Sequence, residues 1–493
     1  MLRKMLLLGF LFSFSGLCAQ GDSIPIARQN DDYTVFINLL KSKEGVLNIH
    51  QSMDVLEAQF SELKKQLSEK NLSPLEEYKA FSSTLSSIQC GHTQIRATYE
   101  VLKEWLSSRQ APPFDYFLQG KKLFSDNIYP EDIALYKKEN PTRIIAAQIP
   151  KHSEIISING ASVSQMIEAI SPYISSDENG IDFKYYQSAS LFEFYRHIAL
   201  PLTQDSVECT YVVEGDTLQL YFEPGAAPVH SINARIDKNE ALFKLYQNDF
   251  GTFKLVADGN GYFRFRSFRT SHGKKYEAFL RSSFQTIRDE QVKNLIIDLR
   301  GNTGGAMQYP LMRYFVGDSV LLGTYRIERP KKCSENKYLK KWNSDYFKHR
   351  VASRAQKRKI RRKKFNNGVI HTTDVDPSLV FRGAIVVITD EGTFSSASIL
   401  ACHLKTLRNA QIAGRPAGGS FYKGNSGTIV AELPHSGLKL FINPNTFRSQ
   451  LPESSTPQEI KEPNLLIEPG YILPQRIESY YYERALQLLK QVP

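Results

Sequence analysis

The stretch VKNLIID at residues 292–298, followed at once by LRGNTGG at 299–305, decides the fold of this chain. Its aliphatic residues are continuous rather than alternating, as in a strand that is buried on both faces. AIVVIT at 384–389 has the same character and leads into a helical pattern at 398–407, and residues 410–414 supply a third strand. This alternation of strands and helices predicts an α/β fold with a parallel sheet covered by helices.

Upstream of this region, the periodicity becomes that of amphipathic helices. Apolar residues recur at alternating steps of four and three across residues 49–67, which predicts one helix. The Ser-Pro-Leu-Glu pattern at 73–76 is typical of a helix N-terminus, and Gly91 is a plausible end for that second helix. We therefore expect an N-terminal helical domain over residues 30–115.

Residues 116–228 combine short strand-like runs with one helical segment, predicted at 163–174. The sequence HSEIISINGASVSQMIEAI at 152–170 predicts a strand, a tight Asn-Gly turn and a helix. This order resembles the middle of a PDZ module, a small α+β domain that binds a peptide as an added strand. We expect residues 116–228 to form such a PDZ-like module.

The composition of the chain limits the classes of protein to which it can belong. Of its 493 residues, 41% are hydrophobic and 23% are charged, which excludes a wholly disordered chain, a collagen and a polytopic membrane protein. Residues 1–19 have a basic start and an apolar core of the length of a secretory signal peptide. We expect a protein that is exported to the periplasm or secreted, with membrane association as an alternative, and without a transmembrane span after signal cleavage. Lipidation at Cys18 is a weaker alternative, because Leu17 precedes it.

The positive charge is concentrated in one segment. The net charge is +11, and residues 326–364 contain 17 lysines and arginines but only three acidic residues, so the rest of the chain is slightly acidic. We interpret residues 326–364 as a basic insertion outside the sheet. It is either a solvated surface or a site for an acidic or anionic partner. No motif for binding nucleic acid accompanies it.

The cysteines do not predict a metal site. After signal cleavage Cys90, Cys209, Cys333 and Cys402 remain, without a CxxC pair or regular spacing. A disulfide is compatible with export, but the sequence does not select a pairing. We expect no cofactor and no metal.

Two turns follow buried strands and contain small residues. Glycines in the turn at 298–305 allow backbone N–H groups to approach an anion or a developing oxyanion closely. The second turn ends in Ser395, Ser396, Ala397 and Ser398 at the predicted start of a helix, where free N–H groups and the helix dipole favour negative charge. Taken singly, the first pattern is equally compatible with a tight turn that binds no ligand, and the second is better explained by helix capping by Ser395.

Together with GRPAGGS at 414–420, the two turns resemble the C-terminal-processing and tricorn-core family of serine peptidases, the tail-specific proteases. The resemblance implies a crotonase-like, ClpP-related catalytic core over residues 229–493. It implies Ser396 as the nucleophile, the first serine of the Ser-Ala-Ser pattern. It also implies an oxyanion hole formed by the backbone amides of Ala397 and of the Thr303–Gly304 turn.

The family has two ways of activating its serine. One branch uses a lysine, for which Lys423 is the candidate, although it lies several residues beyond the position that the pattern gives. The tricorn-like branch uses a histidine in an Asp-Gly-His-Thr motif, which CGHT at 90–93 matches except for Cys90. That branch also has a glutamate six residues before a proline, which corresponds to Glu468, although Gln475 replaces the usual aspartate. We therefore expect His92 as the general base and Glu468 as the supporting acid.

The sequence thus predicts an exported serine peptidase that hydrolyses polypeptides through an acyl-enzyme. One alternative is a catalytically silent relative that binds peptides or hydrophobic ligands. Another is an active enzyme with a Ser396–Lys423 dyad.

Overall fold

The three predicted core strands lie side by side in the computed structural model. β10 (Asn294–Asp298) pairs in parallel with β14 (Ala384–Thr389), which pairs in parallel with β15 (Gln411–Gly414). Three more strands complete this sheet: β20 (Leu465–Leu466), β9 (Asn260–Phe265) and β8 (Gly251–Val256). The order is β20-β15-β14-β10-β9-β8, in which only the β8–β9 pair is antiparallel. The prediction of an α/β fold with a parallel sheet is confirmed.

The structure describes residues 23–126, 149–225, 251–327, 334–341, 368–450 and 456–491, except positions 46, 109, 113, 270–272, 306, 318–319, 372–374, 469, 471 and 473–475. The helices are α1 (Ile26–Lys43), α2 (Met53–Glu69), α3 (Pro74–Ser86), α4 (Tyr99–Ser107), α5 (Val163–Ile170), α6 (Ile181–Ser188), α7 (Phe192–Ala199), α8 (Gly273–Asp289), α9 (Gln308–Val316), α10 (Ser396–Arg408), α11 (Pro457–Lys461) and α12 (Ile477–Leu489). The other strands are β1 (Gln94–Arg96), β2 (Asp115–Gln119), β3 (Lys122–Asp126), β4 (Glu154–Ile158), β5 (Ala161–Ser162), β6 (Val207–Val213), β7 (Asp216–Phe222), β11 (Leu321–Ile327), β12 (Leu339–Lys341), β13 (Gly368–His371), β16 (Lys423–Ser426), β17 (Ile429–Glu432), β18 (Lys439–Ile442) and β19 (Asn445–Ser449).

Helices cover both faces of the parallel sheet. Helices α8, α9 and α10 form one hydrophobic core with Leu295, Ile297 and Val387 on one face. Helix α12 covers the other face, where Ile296 and Val386 are buried. The continuous aliphatic runs of β10 and β14 are explained by this double burial.

The N-terminal helices have the predicted caps and apolar faces. Ser73 and Glu76 form a capping box at the start of α3, which ends at Ser86 rather than at Gly91. The helices share one hydrophobic core with strands β17 and β18, and β1 pairs antiparallel with β18. The N-terminal helical region therefore shares its core with strands near the C-terminal end of the chain and is not an independent domain.

The region predicted to resemble a PDZ module contains an antiparallel sheet in the order β2-β3-β4-β6-β7, with β5 paired to β4. Asn159 and Gly160 form the predicted turn, with φ angles of 52° and 75°. Helix α5 packs beside it and ends at Ile170, after which residues 171–173 form a single 3₁₀ turn.

Most of the basic insertion and all of the predicted signal peptide lie outside the described residues. The described parts of the insertion lie outside the parallel sheet, as predicted, but they belong to two smaller antiparallel sheets. Arg326 belongs to β11, and β12 pairs with β17 through Leu339, which is buried against the helical core. The apolar side chain of Leu339 thus attaches this part of the basic insertion to the hydrophobic core. Among the helices of the described ranges, none has the length and hydropathy needed to cross a bilayer.

Candidate active site

The two glycine-containing turns meet at the carboxyl ends of β10 and β14. Phe394 donates its backbone N–H to the carbonyl of Asn302 over 3.0 Å. A Cβ atom added to Gly304, which has a φ of 92°, would lie 2.8 Å from Cβ of Ser395. Only a glycine therefore lets the first turn approach the second this closely.

A buried ion pair fixes the start of the first turn. Nη2 of Arg300 lies 2.6 Å from Oδ2 of Asp298. Burial alone would raise the pKa of Asp298, but the positive charges of Arg264 and Arg300 outweigh it and hold that pKa well below its usual range. Gly301 then donates its N–H to Asp390, which ties the first turn to the end of β14.

His92 reaches this meeting point from the N-terminal helical region. Its Nε2 atom lies 3.0 Å from Oγ of Ser395, within hydrogen-bonding distance. Its ring packs against that of Phe394, with centroids 4.7 Å apart, and Phe394 stacks on Phe183 at 4.1 Å. The structure therefore brings together a histidine and a serine that are far apart in the sequence.

Ser395 has an unusual backbone conformation. Its φ and ψ are 55° and −124°, and it precedes α10 at the N-cap position without making a side-chain cap bond. Such conformations cost roughly 1–3 kcal/mol each and are concentrated at functional sites. Because the hydroxyl is not used to cap the helix, it remains directed to His92. This resembles the strained strand-to-helix turn that exposes the nucleophile in many hydrolases.

Ser396 does not occupy the position predicted for it. Its side chain is buried, and its Oγ atom has no hydrogen-bond partner among the described residues. The expected contact with His92 is made by Ser395 instead. The reason is geometric, because successive residues at a helix start point in directions roughly 100° apart.

The predicted oxyanion donors are also displaced. The amide of Ala397 donates to the carbonyl of Phe394 at 3.2 Å, and that of Gly304 donates to Oδ1 of Asn302 at 2.9 Å. These two amides are occupied, whereas Thr303 lies partly exposed in the same turn. The amide beside Ser395 is that of Ser396, which as the first residue of α10 has no intrahelical acceptor.

Glu468 and Lys423 do not join this pair. Glu468 is exposed, and its charge acts on Lys121. Lys423 lies in β16, where its charge acts on His50. No side-chain hydrogen bond within the described ranges links either residue to His92 or Ser395.

Asp177 is a site residue that the sequence analysis missed. Its side chain is 2% exposed; Oδ1 accepts the N–H of Gly91 at 2.7 Å and Oδ2 accepts the N–H of Ser420 at 2.9 Å. Glu178 adds two bonds: its N–H donates to the carbonyl of Gln89, and its carboxylate accepts the hydroxyl of Ser420. The turn at 177–179 thus joins residues 87–93, the histidine loop, to the loop after β15. We call this turn the clamp. No motif marks this acid.

The surroundings keep His92 neutral. Burial, reinforced by the positive charge of Arg269, lowers the pKa of His92 to about 4. At neutral pH the ring is therefore uncharged and able to accept a proton. Its Nδ1 atom is buried and has no hydrogen-bond partner among the described residues.

One group of side chains has the donor set of a metal site. Sγ of Cys90, a ring nitrogen of His92 and a carboxylate oxygen of Asp177 all lie within 4.8 Å of one another. Cys90 is fully buried, and burial raises the pKa of its thiol well above the usual range.

Comparisons with known proteins identify a related family and a similar fold. The model of peptidase family S41 matches residues 259–446, which include both turns and Ser395. Mature CPAF, solved as a complex with lactacystin, has 11% identity and a TM-score of 0.53, with 94% of this chain and 98% of CPAF covered, which shows a shared fold. The photosystem II D1 C-terminal processing protease has 14% identity and a TM-score of 0.38, with 92% and 96% covered. A peptidase from Parabacteroides merdae ATCC 43184 has 12% identity and a TM-score of 0.41, with 94% and 96% covered. Among curated protein sequences, none matches.

Proposed function

We propose that the chain, a serine-type peptidase whose residues 259–446 match the model of peptidase family S41, hydrolyses polypeptides with Ser395 as nucleophile and His92 as general base. The observation that carries this assignment is the 3.0 Å contact between Oγ of Ser395 and Nε2 of His92. Ser395 thereby takes the role that the sequence analysis gave to Ser396.

The reaction follows from these positions. Oγ of Ser395 attacks the carbonyl carbon of the scissile bond while its proton passes to Nε2 of His92. His92 returns this proton to the leaving amine, and an acyl-enzyme remains. Water, deprotonated by the same nitrogen, then hydrolyses the ester and restores the serine.

The start of α10 supplies the stabilisation of the oxyanion. The amide of Ser396 lies directly after the nucleophile, and the dipole of α10 adds positive potential there. Loss of one such donor costs roughly 3–4 kcal/mol of transition-state stabilisation in measured cases. The turn at Thr303–Gly304 faces the same point and is the second wall of this hole.

Asp177 acts as the positioning carboxylate, the role predicted for Glu468. It bonds the amide before His92 and the amide of Ser420, so a single buried side chain sets the distance between the base loop and the core. Catalysis depends on such distances, because a displacement of about 1 Å can cost 10²-fold in rate.

Two alternatives have less support. A Ser–Lys dyad would need the ammonium of Lys423 beside a serine, yet the charge of Lys423 acts on His50. A silent peptide-binding relative would have no need of a strained serine whose hydroxyl meets a neutral imidazole.

The remaining parts of the proposal concern the surroundings of the site. We assign residues 229–493 to a crotonase-like core and 116–228 to a PDZ-like module, for which the antiparallel sheet and α5 are the support. Export, by the signal-like residues 1–19, would bring the enzyme to periplasmic or secreted polypeptides. The basic insertion at 326–364 would face an acidic or anionic partner.

A serine-directed fluorophosphonate probe tests the assignment. We expect the probe to label the full chain at Ser395, as located by peptide mass spectrometry. Labelling should disappear in Ser395→Ala and persist in Ser396→Ala. Labelling at Ser396, or no labelling of a folded protein, would contradict the proposal.

A further inference from the structure

We propose that Cys90, His92 and Asp177 form a zinc site whose occupation switches the peptidase off. The metal binding stands on the geometry of these three side chains alone, whereas the inhibition rests on the proposed function of His92.

The positions of the donors are close to those that zinc requires. A tetrahedral zinc ion with sulfur, nitrogen and oxygen ligands holds its donor atoms roughly 3.5 Å apart. The three donors here lie within 4.8 Å of one another, so the widest separation must close by little more than about 1 Å. Cys90 and His92 are separated only by Gly91, whose N–H is already bonded to Asp177, so one short loop carries the whole adjustment.

Each of the three side chains has a donor atom that can bind a metal ion. Nε2 of His92 is engaged by Ser395, whereas Nδ1 is buried without a hydrogen-bond partner, so Nδ1 is the nitrogen that ligates. Each carboxylate oxygen of Asp177 accepts one amide, which leaves a lone pair on either oxygen. Cys90 is a buried free thiol, and zinc binds cysteine as the thiolate.

The donor set selects the class of cation. A thiolate with an imidazole favours zinc and related ions, whereas calcium and magnesium prefer oxygen ligands only. Three protein ligands leave the fourth tetrahedral position open for water. Within the part of the chain that the structure describes, this is the one such group of metal-ligating side chains.

Zinc at this position blocks the general base. When Nδ1 of His92 donates its lone pair to the metal, the ring proton resides on Nε2, which faces Ser395. Nε2 can then donate a hydrogen bond but cannot accept the hydroxyl proton. Binding also releases the thiol proton of Cys90 to solvent, so we expect the affinity for zinc to fall as the pH falls.

Cobalt titration tests the metal site independently of activity. We expect metal-free full-length protein to bind one Co²⁺ with a thiolate-to-cobalt charge-transfer band and tetrahedral d–d bands, and Zn²⁺ to displace it. Cys90→Ser should abolish the charge-transfer band. Cys402→Ser is the matched control, because Cys402 is also a free buried cysteine but lies outside the group, and it should keep the band.

The inhibition is measured separately. We expect Zn²⁺ to inhibit peptide hydrolysis reversibly, with restoration by a chelator. In Cys90→Ser, normalised to its own metal-free rate, the inhibitory concentration should rise at least about tenfold. If Cys90→Ser does not fold, Cys90→Ala and His92→Gln replace it in the cobalt titration.

The outcomes separate the two claims. The absence of a charge-transfer band in folded wild-type protein, or its persistence without Cys90, would overturn the zinc site. A band together with failure of the fluorophosphonate probe to label Ser395 would retain the zinc site and overturn the proposed function.

Discussion

The two halves of the candidate active site are held in different ways. Ser395 stands between β14 and α10, and backbone hydrogen bonds between the two turns fix its place at the end of the parallel sheet. His92 stands on a loop fixed mainly by side-chain contacts, with Asp177 on one side and the stacked ring of Phe394 on the other. The difference teaches that the proposed nucleophile is positioned by the fold itself, whereas the position of the proposed base depends on a few side chains. Mutations should therefore affect the two halves differently.

The largest effect is expected at the nucleophile. Ser395→Ala removes the attacking oxygen and should lower kcat about 10⁴-fold or more, with little change in KM. Adding His92→Ala should cost little further, because the two residues act as one unit. Steady-state hydrolysis of a peptide measures both. Ser396→Ala should lower kcat less than about tenfold, and the inverse result for the two serines would restore the original assignment.

A smaller effect is expected at the clamp. Asp177→Asn keeps the size of the side chain but offers one oxygen acceptor for two amides, which should displace the histidine loop and lower kcat about 10²-fold. Glu468→Gln is the control and should leave kcat within about twofold, because Glu468 is exposed. If Asp177→Glu restores part of kcat while Tm stays constant, a positioning role is supported. A loss of Tm that accounts for all lost activity would contradict it.

The pH dependence sharpens the comparison further. His92 acts in its neutral form, and its pKa is lowered to about 4, so the acid limb of kcat/KM should lie well below the ordinary histidine value of about 6.5. Arg269→Gln removes the positive charge that helps to lower this pKa and should shift the limb to higher pH. Between pH 4 and 6 the variant should therefore lose a larger fraction of its activity than the wild type. An unchanged limb would mean that another group controls it.

The smallest effect on catalysis is expected for Glu77 in α3, the helix that leads to the histidine loop. A substitution there should change the pH dependence of stability instead. Glu77 in α3 is buried with both carboxylate oxygens unbonded, and burial, with the nearby charge of Asp32, raises its pKa to about 8. The folded state thus binds a proton that the unfolded state has released between about pH 4.5 and 8. The free energy of unfolding should fall as the pH rises through this range. In Glu77→Gln this fall should be reduced, as chemical denaturation at pH 5 and pH 8 measures; equal slopes in both proteins would contradict it.

The features that could be predicted from the sequence are those determined by residues close together in the chain. The buried strands, the capping box at Ser73 and the Asn159–Gly160 turn follow from neighbouring residues, and all are present. The contact of His92 with Ser395 rather than with Ser396 could not be predicted, because it depends on a backbone angle that spacing does not encode.

Asp177 could not be found in this way. Its partners lie 86 and 243 positions away in the sequence, so only the folded chain reveals the clamp. Glu468 is predicted from the family pattern, which specifies a spacing along the chain but not whether the residue is exposed, as Glu468 is.

The pairing of β1 with β18 has a consequence for the timing of activity. Thr93, next to His92, accepts a hydrogen bond from Asn443, a residue 350 positions later. Closing so long a loop is entropically costly, and the contact cannot form until both ends have been synthesised. The histidine loop thus gains its final support only when nearly the whole polypeptide has left the ribosome. If His92 is the general base, we expect a nascent chain to gain peptidase activity only when its fold is complete.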